Sequence, residues 1–412
     1  MPMPLLTTLT RARKFAARAI RARQAEHDIR RVQDRLGAPA DVKVVVYFAD
    51  GPVNLYQMRQ WYAPLKTLAE RVPVAVLARS AGSAIAMVEE SPLPVEHVRQ
   101  VADLERFVAE HEVRIVLYVN QNAKNFQMMR YGRMWHVFIN HGESDKMYMT
   151  TNQFKAYDYA LIAGDAARAR LTRALWDYDL DKRAIPIGRP QADHFAGQVP
   201  YPAGDRTVVL YAPTWEGDRP QAAYGSIASH GVALVRALLA SPRYRVVYRP
   251  HPRSGVLDTA YAQANRQIID ALAAANRADP NAHHVHDTGA ELGWQLAAAD
   301  VAITDISAMV YDRLATGKPL LVTRPVSPAA DVDESGYLGD AEWLEAADAA
   351  QLPARLDTLL TSTEARARLE KWVSHYFGDT TPGAATERFH AAIDLLLARW
   401  DEHAAQHVGD PA

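Results

Sequence analysis

Several apolar runs in this sequence end in residues able to move protons or hold phosphate. The run Met134–Asn140 is followed by His141, Gly142, Glu143, Ser144, Asp145 and Lys146. This puts an imidazole at a strand exit, beside a glycine that admits a ligand to the backbone and a lysine that can meet a phosphate. An imidazole near its ordinary pKa of about 6.5 suits a base that accepts a hydroxyl proton near neutral pH. A histidine in that place is also commonly structural. The run Tyr244–Pro250 ends in His251, Pro252 and Arg253. Arg249, His251 and Arg253 alternate along a segment stiffened by two prolines, so a rigid edge presents cations to an anion. The same arginines could instead pair with surface carboxylates.

The run Asp300–Asp305 leads through Ile306 into Ser307 and a helix. A strand, then Thr-Asp-x-Ser, then a helix start places the Ser307 hydroxyl and free backbone N–H groups where a phosphate can sit. Asp305 and Ser307 fit the role of plain N-caps equally well. The run Thr207–Pro213 leads to Thr214 and Trp215, a hydroxyl and an aromatic face able to hold a substrate or to finish a loop. The stretch His283-His284-x-His286 alternates as a strand does, and no other His or carboxylate group has metal-ligand spacing. No metal or cofactor is expected.

These positions need a scaffold, and the chain writes one. Short β-branched runs at 42–48, 72–78, 113–119, 134–140 and 159–164 alternate with helical stretches, the first around 54–70. That is the pattern of a parallel sheet covered on both faces. The Pro- and Gly-containing segment 197–206 separates this half from a second series of strands at 207–213, 244–250, 283–287, 300–305 and 319–325. Helices at 351–377 and 385–404 close the chain. The expected organisation is a basic arm (1–38), an N-terminal Rossmann-like domain (41–198) and a C-terminal Rossmann-like domain (205–395), with helices continuing to 404. At 412 residues, two α/β domains are the default. In open α/β sheets, ligands bind beyond the carboxyl ends of the strands, where the residues singled out above fall.

Composition narrows the class. The chain is 49% hydrophobic and 23% charged, and no run of 18 apolar residues could cross a bilayer. A formal charge of −2 gives no general attraction to nucleic acid. Zero cysteines exclude disulfides, thiolate metal sites and a thiol nucleophile. Neither a G-x-G-x-x-G after the first strand nor a G-x-x-x-x-G-K-[ST] occurs, which argues against a dinucleotide dehydrogenase and a P-loop NTPase. Residues 1–36 carry nine Lys or Arg against Glu26, Asp28 and Asp34 and lack a secretory h-region, so the protein reads as cytoplasmic. Leu5, Leu9, Ala16 and Ile20 form a sparse apolar stripe. The arm could rest on an anionic inner membrane face, or pack on its own protein or a second subunit.

The order of the segments is more specific than any one of them. Asn140-His141-Gly142 with Lys146, Gly188-Arg189-Pro190-Gln191-Ala192-Asp193, Tyr211-Ala212-Pro213-Thr214-Trp215, Arg249-Pro250-His251-Pro252, Thr304-Asp305-Ile306-Ser307, Tyr311-Asp312, Lys318-Pro319 and Gly383-Ala384-Ala385-Thr386-Glu387-Arg388 together resemble the CDP-glycerol glycerophosphotransferase family, over roughly residues 115–395. The resemblance implies a GT-B fold with the active site between two Rossmann-like domains. It implies that the first domain holds the acceptor and the second the nucleotide donor, that His141 and His251 face each other as the two essential histidines, and that Lys146, Thr214, Arg249, Asp305, Ser307 and Arg388 lie at donor phosphates or acceptor groups. The implied partners are a CDP-activated polyol donor and a lipid-linked or polymeric acceptor of a teichoic-acid-like or capsular polymer, without nucleic acid. Two departures stand out: Glu143-Ser144-Asp145 replaces the family's Thr-Pro-x before the lysine, and Ala308 replaces a second serine. The rival readings are a GT-B glycosyltransferase using a UDP- or GDP-sugar, and a non-catalytic anion-binding protein or membrane-recruited scaffold.

Overall fold

The computed structural model describes residues 20, 23–143, 150–289 and 292–407. Among the described residues, thirteen strands form two sheets. The first holds β1 (Val44–Phe48), β2 (Val74–Ala78), β3 (Val95–His97), β4 (Ile115–Tyr118), β5 (Trp135–Phe138), β6 (Tyr159–Ile162) and β7 (Ala184–Pro186), in the order β3-β2-β1-β4-β5-β6-β7. The second holds β8 (Thr207–Ala212), β9 (Tyr244–Tyr248), β10 (Val285–His286), β11 (Val301–Thr304), β12 (Leu320–Thr323) and β13 (Trp343–Leu344), in the order β10-β9-β8-β11-β12-β13. Every pairing is parallel.

The central strands explain why. All five residues of β1, Val-Val-Val-Tyr-Phe, are buried, because helices cover both faces and no side of the strand meets water. Alternate residues then feed separate cores: Val44, Val46 and Phe48 pack on one face, Val45 and Tyr47 on the other. The ten apolar runs of the sequence each contain one strand. Three more, β3, β7 and β13, are short edge or near-edge strands of two or three residues, too brief to show a hydrophobic period.

Each sheet reverses its winding once. In the first, the chain goes outward from β1 to β2 and β3, then returns to start the other half at β4. In the second it goes from β8 to β9 and β10, then returns at β11. The two reversals open crevices at the carboxyl ends of β1 and β4, and of β8 and β11.

The last helix, Ala384–Gln406, closes the molecule by leaving the second sheet and packing on the first. Phe389, Ile393 and Leu396 enter the core beside Trp61 and Leu65, and Arg71 and Arg114 pair with its Asp394 and Asp401. A buried ion pair joins the halves, Arg189 after β7 with Asp312 in helix Ala308–Leu314. Asp193 accepts from the backbone and hydroxyl of Thr386, at 2.7 and 2.9 Å. The Gly188–Asp193 and Gly383–Arg388 segments are thus the seam between domains. Gly188, at φ +74, has no room for a side chain there, since a Cβ would lie 2.9 Å from the Phe377 carbonyl.

Of the basic arm, residues 23–28 are helical and Ile29–Arg35 form a tighter helix. Ile29 is buried in the first-domain core, and Arg35 reaches Glu89 and, at 2.7 Å, the Val88 carbonyl on helix Ala81–Glu90. This part packs on its own domain. Leu5, Leu9 and Ala16 lie outside the described residues, and no described helix is long and apolar enough to cross a membrane.

Candidate functional site

His141 lies three residues past β5. The loop turns at Asn140, which takes a left-handed φ of 54°. Two contacts hold the turn: the Trp61 indole donates to the Asn140 carbonyl, and the Asn140 amide donates to the Gly142 carbonyl at 2.6 Å. The His141 Nδ1 lies 2.8 Å from the Val119 carbonyl oxygen at the exit of β4. A carbonyl only accepts, so in the neutral ring Nδ1 carries the proton and Nε2 keeps its lone pair. Burial pushes the imidazole below its ordinary pKa, the Val119 carbonyl pulls it upward, the nearby Arg189 charge lowers it and Asp50 raises it. Tyr56 stands edge-on to the ring at 5.8 Å. The result is a neutral imidazole at neutral pH with a basic nitrogen on Nε2.

His251 is arranged the other way. It lies three residues past β9, and its Nδ1 is 3.1 Å from the backbone N–H of Arg253. An N–H only donates, so Nδ1 is the acceptor and Nε2 carries the proton. The ring is exposed, and its own backbone N–H donates to Pro213 at 3.1 Å. Partial desolvation and the Arg253 charge lower its pKa while Glu216 raises it. The Arg253 guanidinium lies 3.7 Å from the centre of the Trp215 ring, and the Trp215 and His251 ring centres are 6.5 Å apart.

Glu216 carries no signal in the sequence, yet it builds this edge. Its carboxylate accepts from the backbone N–H of Gly255, Leu257 and Asp258 at 2.9, 2.7 and 3.1 Å. Burial works to raise its pKa, but these donors hold it below the ordinary value. The loop can take this shape because Gly255 adopts φ +78 where a Cβ would lie 2.7 Å from Ala262.

The structure corrects the reading of Asp305 as a phosphate-site residue. It is fully buried and accepts from Thr214 N at 2.8 Å, Ser226 N at 3.0 Å and the Thr323 hydroxyl at 2.5 Å. Burial lifts its pKa to about 6 against these donors. An anionic ligand gains nothing from a carboxylate, so Asp305 acts as the anchor that aims the Thr214 loop. Thr214 itself is half-buried, with its hydroxyl unpartnered among the described residues. Ser307 caps helix Ala308–Leu314, its oxygen 3.3 Å from Met309 N. Two expected cations are partly committed. Arg249 pairs with Asp287, and one nitrogen of Arg388 donates to the Phe377 and Asp379 carbonyls at 3.0 and 2.8 Å. Lys146, with Ser144 and Asp145, lies outside the described residues. Glu143 turns inward to a buried ion pair with Arg170. The three histidines at 283–286 diverge: His284 accepts from Val246 N at 3.1 Å, His286 stacks on Tyr248, and His283 takes a left-handed turn at φ 48°.

The surroundings of His141 thus come from the first domain and those of His251 from the second. Both sit at carboxyl ends of parallel strands, in the places where α/β enzymes collect ligands. Two Rossmann-like parallel sheets joined by a seam at their carboxyl ends define a GT-B-like fold. Residues 138–325 match the model of the family described as CDP-Glycerol:Poly(glycerophosphate) glycerophosphotransferase. Through that segment, somewhat under half of the chain, the protein is similar to this family, and it is a transferase.

Among solved structures, the wall teichoic acid polymerase TagF is similar at 14% identity and a TM-score of 0.57, covering 97% of this chain and 99% of that one. A TagF variant soaked with CDPG is similar at 13% identity and 0.55, over 97% and 99%. A UDP-N-acetylglucosamine 2-epimerase is similar at 15% identity and 0.54, over 88% and 97%. At such identities these likenesses carry the fold alone. No curated protein matches the chain.

Proposed function

We propose that the protein transfers a polyol phosphate, glycerol phosphate in the first instance, from a CDP-linked donor to a hydroxyl of a teichoic-acid-like polymer, releasing CMP. The observation that carries the chemistry is the opposed protonation of the two histidines. Nε2 of His141 is a lone-pair acceptor and takes the proton of the attacking hydroxyl. The hydroxyl oxygen bonds to the β-phosphorus of the donor, and the bond from that phosphorus to the bridging oxygen breaks. The bonding pair leaves with CMP, whose new charge is met by the Nε2–H of His251. Such a transfer needs positioning and charge neutralisation more than covalent catalysis. Arg253 beside His251, Thr214, Ser307 and the outward part of Arg388 line the donor side. Lys146 follows His141 closely enough in sequence to join them. The required groups are all side chains and backbone of the chain, without a metal.

The family match supports the CDP-glycerol donor, and the polymer acceptor follows the same family description. The test is a donor panel. With CDP-glycerol, CDP-ribitol and UDP-hexoses in separate reactions with a polyol-phosphate acceptor, CMP release from a CDP-polyol is expected. UDP release with no CMP would overturn the reading in favour of a glycosyltransferase. Sedimentation of the full chain and of a chain lacking residues 1–36 with anionic vesicles separately tests peripheral membrane contact: loss on truncation supports it, and equal behaviour removes it.

A further inference from the structure

The crevice at the winding reversal of the first sheet holds polar side chains that the transfer step leaves unused. Asp50 follows β1 and Asn120 follows β4, so the two flank the reversal point directly. The Asp50 carboxylate accepts from Asn120 Nδ2 on one oxygen and from Asn122 Nδ2 on the other, each at 2.7 Å. Asn120 Nδ2 also donates to Gln57 Oε1 at 2.6 Å, and the Gln57 amide nitrogen lies 3.3 Å from the Tyr56 hydroxyl. These residues and His141 line one open cavity of about 710 Å³. That is the size of a small-ligand site.

We infer that this cavity is a subsite for a neutral, multiply hydroxylated unit, the terminal polyol or glycosyl end of the acceptor, read by Asp50, Asn120, Asn122 and Gln57. The inference rests on the transferase reading above and specifies its acceptor side. Each Asp50 oxygen takes one amide hydrogen bond among the described residues, and a carboxylate has about four lone-pair sites. It therefore keeps capacity for hydroxyl donors, and the amides beside it hold it in place. A hydroxyl bound to a charged acceptor gains more than one bound to a neutral group. A phosphate in the same place would meet like charge at Asp50. The unit therefore enters by its hydroxyls, with one directed at Nε2 of His141, and any phosphate linking it to the rest of the polymer stays outside the cavity.

The experiment uses the full chain with CDP-glycerol as donor. Glycerol, ribitol and methyl α-glucopyranoside are the neutral acceptors, and glycerol 3-phosphate is their charged counterpart. The order of the neutral acceptors tells polyol from sugar. Asp50→Asn and Asn122→Ala, each checked by thermal melting, should raise KM for the preferred neutral acceptor about tenfold or more, the size of a lost hydrogen bond to a charged group. KM for CDP-glycerol should move by less than about twofold in both variants. Unchanged acceptor KM in both variants, or a lower KM for glycerol 3-phosphate than for every neutral acceptor, overturns the proposal. If wild-type protein releases no CMP with any acceptor, the transferase reading falls separately. Saturation-transfer NMR with ribitol and methyl α-glucopyranoside then decides the cavity. Binding by the wild type that Asp50→Asn abolishes supports the proposal, and binding absent from the wild type or retained in the variant overturns it.

Discussion

The two crevices of this molecule have the same construction and opposite chemistry. In each, parallel strands reverse their winding and a histidine follows a neighbouring strand by three residues. On the first side the ring rests on a carbonyl, that of Val119, and turns a lone pair outward. On the second it rests on an N–H, that of Arg253, and turns a proton outward. The carboxylates differ as well. Asp50 stands open in a cavity, whereas Asp305 is buried with backbone and hydroxyl donors on both oxygens. One backbone atom beside each imidazole sets which ring nitrogen carries the proton, so one ring turns an acceptor outward and the other a donor.

Removing either histidine tests the contrast most severely. His141→Ala is expected to slow CMP release by about 10²–10⁴, the range for a general base. His251→Ala should slow it by about 10²–10³, as for a lost donor to developing charge. Variants that fold and release CMP at the wild-type rate would end the proposed mechanism.

The contrast also needs the halves held together. Arg189→Ala leaves Asp312 buried without its partner, and a loss of about 3–5 kcal/mol is expected in denaturant unfolding. Replacing both, as Arg189→Met with Asp312→Leu, should recover most of that. If the single variant is as stable as the wild type, the ion pair is not the latch described.

A smaller effect is expected at the anchor of the donor loop. Asp305→Ala strands two backbone N–H groups, at about 1–3 kcal/mol for each buried group left unpaired. Donor KM should rise while acceptor KM stays near its wild-type value. A change confined to acceptor KM would mean that the two sides are not separable in this way.

The pH profile probes His141 alone. Its pKa lies below the ordinary 6.5, so the basic form persists into mildly acid solution. As pH falls through the shifted value the ring gains a proton and transfer is lost. The acid limb of kcat/KM should therefore have its midpoint below about 6.5. A midpoint above that value would contradict the burial of the ring. The finest measurement leaves rate aside: ¹⁵N imidazole shifts at neutral pH should report Nδ1–H for His141 and Nε2–H for His251. The same tautomer at both would erase the comparison.

Much of this was legible in the chain. Ten apolar runs gave the strands of two parallel sheets, because a strand buried on both faces has no polar positions to interrupt it. The residues after those runs pointed to both histidines, to Thr214 and to Ser307, since chemistry gathers at the carboxyl edge. Chain order, through the family resemblance, connected them. What sequence could not supply was direction. Asp305 looks from its neighbours like a ligand contact and is a buried anchor. Arg388 looks like a site residue, and one of its nitrogens is spent on the Phe377 and Asp379 carbonyls near the domain seam. Glu143 looks like an altered acceptor loop and is half of an internal ion pair. Asp50, Asn120 and Glu216 sit at strand exits without a motif, and only the fold gives them partners. Residue type and spacing fix which elements form, because burial follows hydrophobic pattern locally. Which atom of a histidine holds its proton, and which carboxylate is left to meet a ligand, depends on groups brought from distant parts of the chain, and that was decided by the tertiary structure.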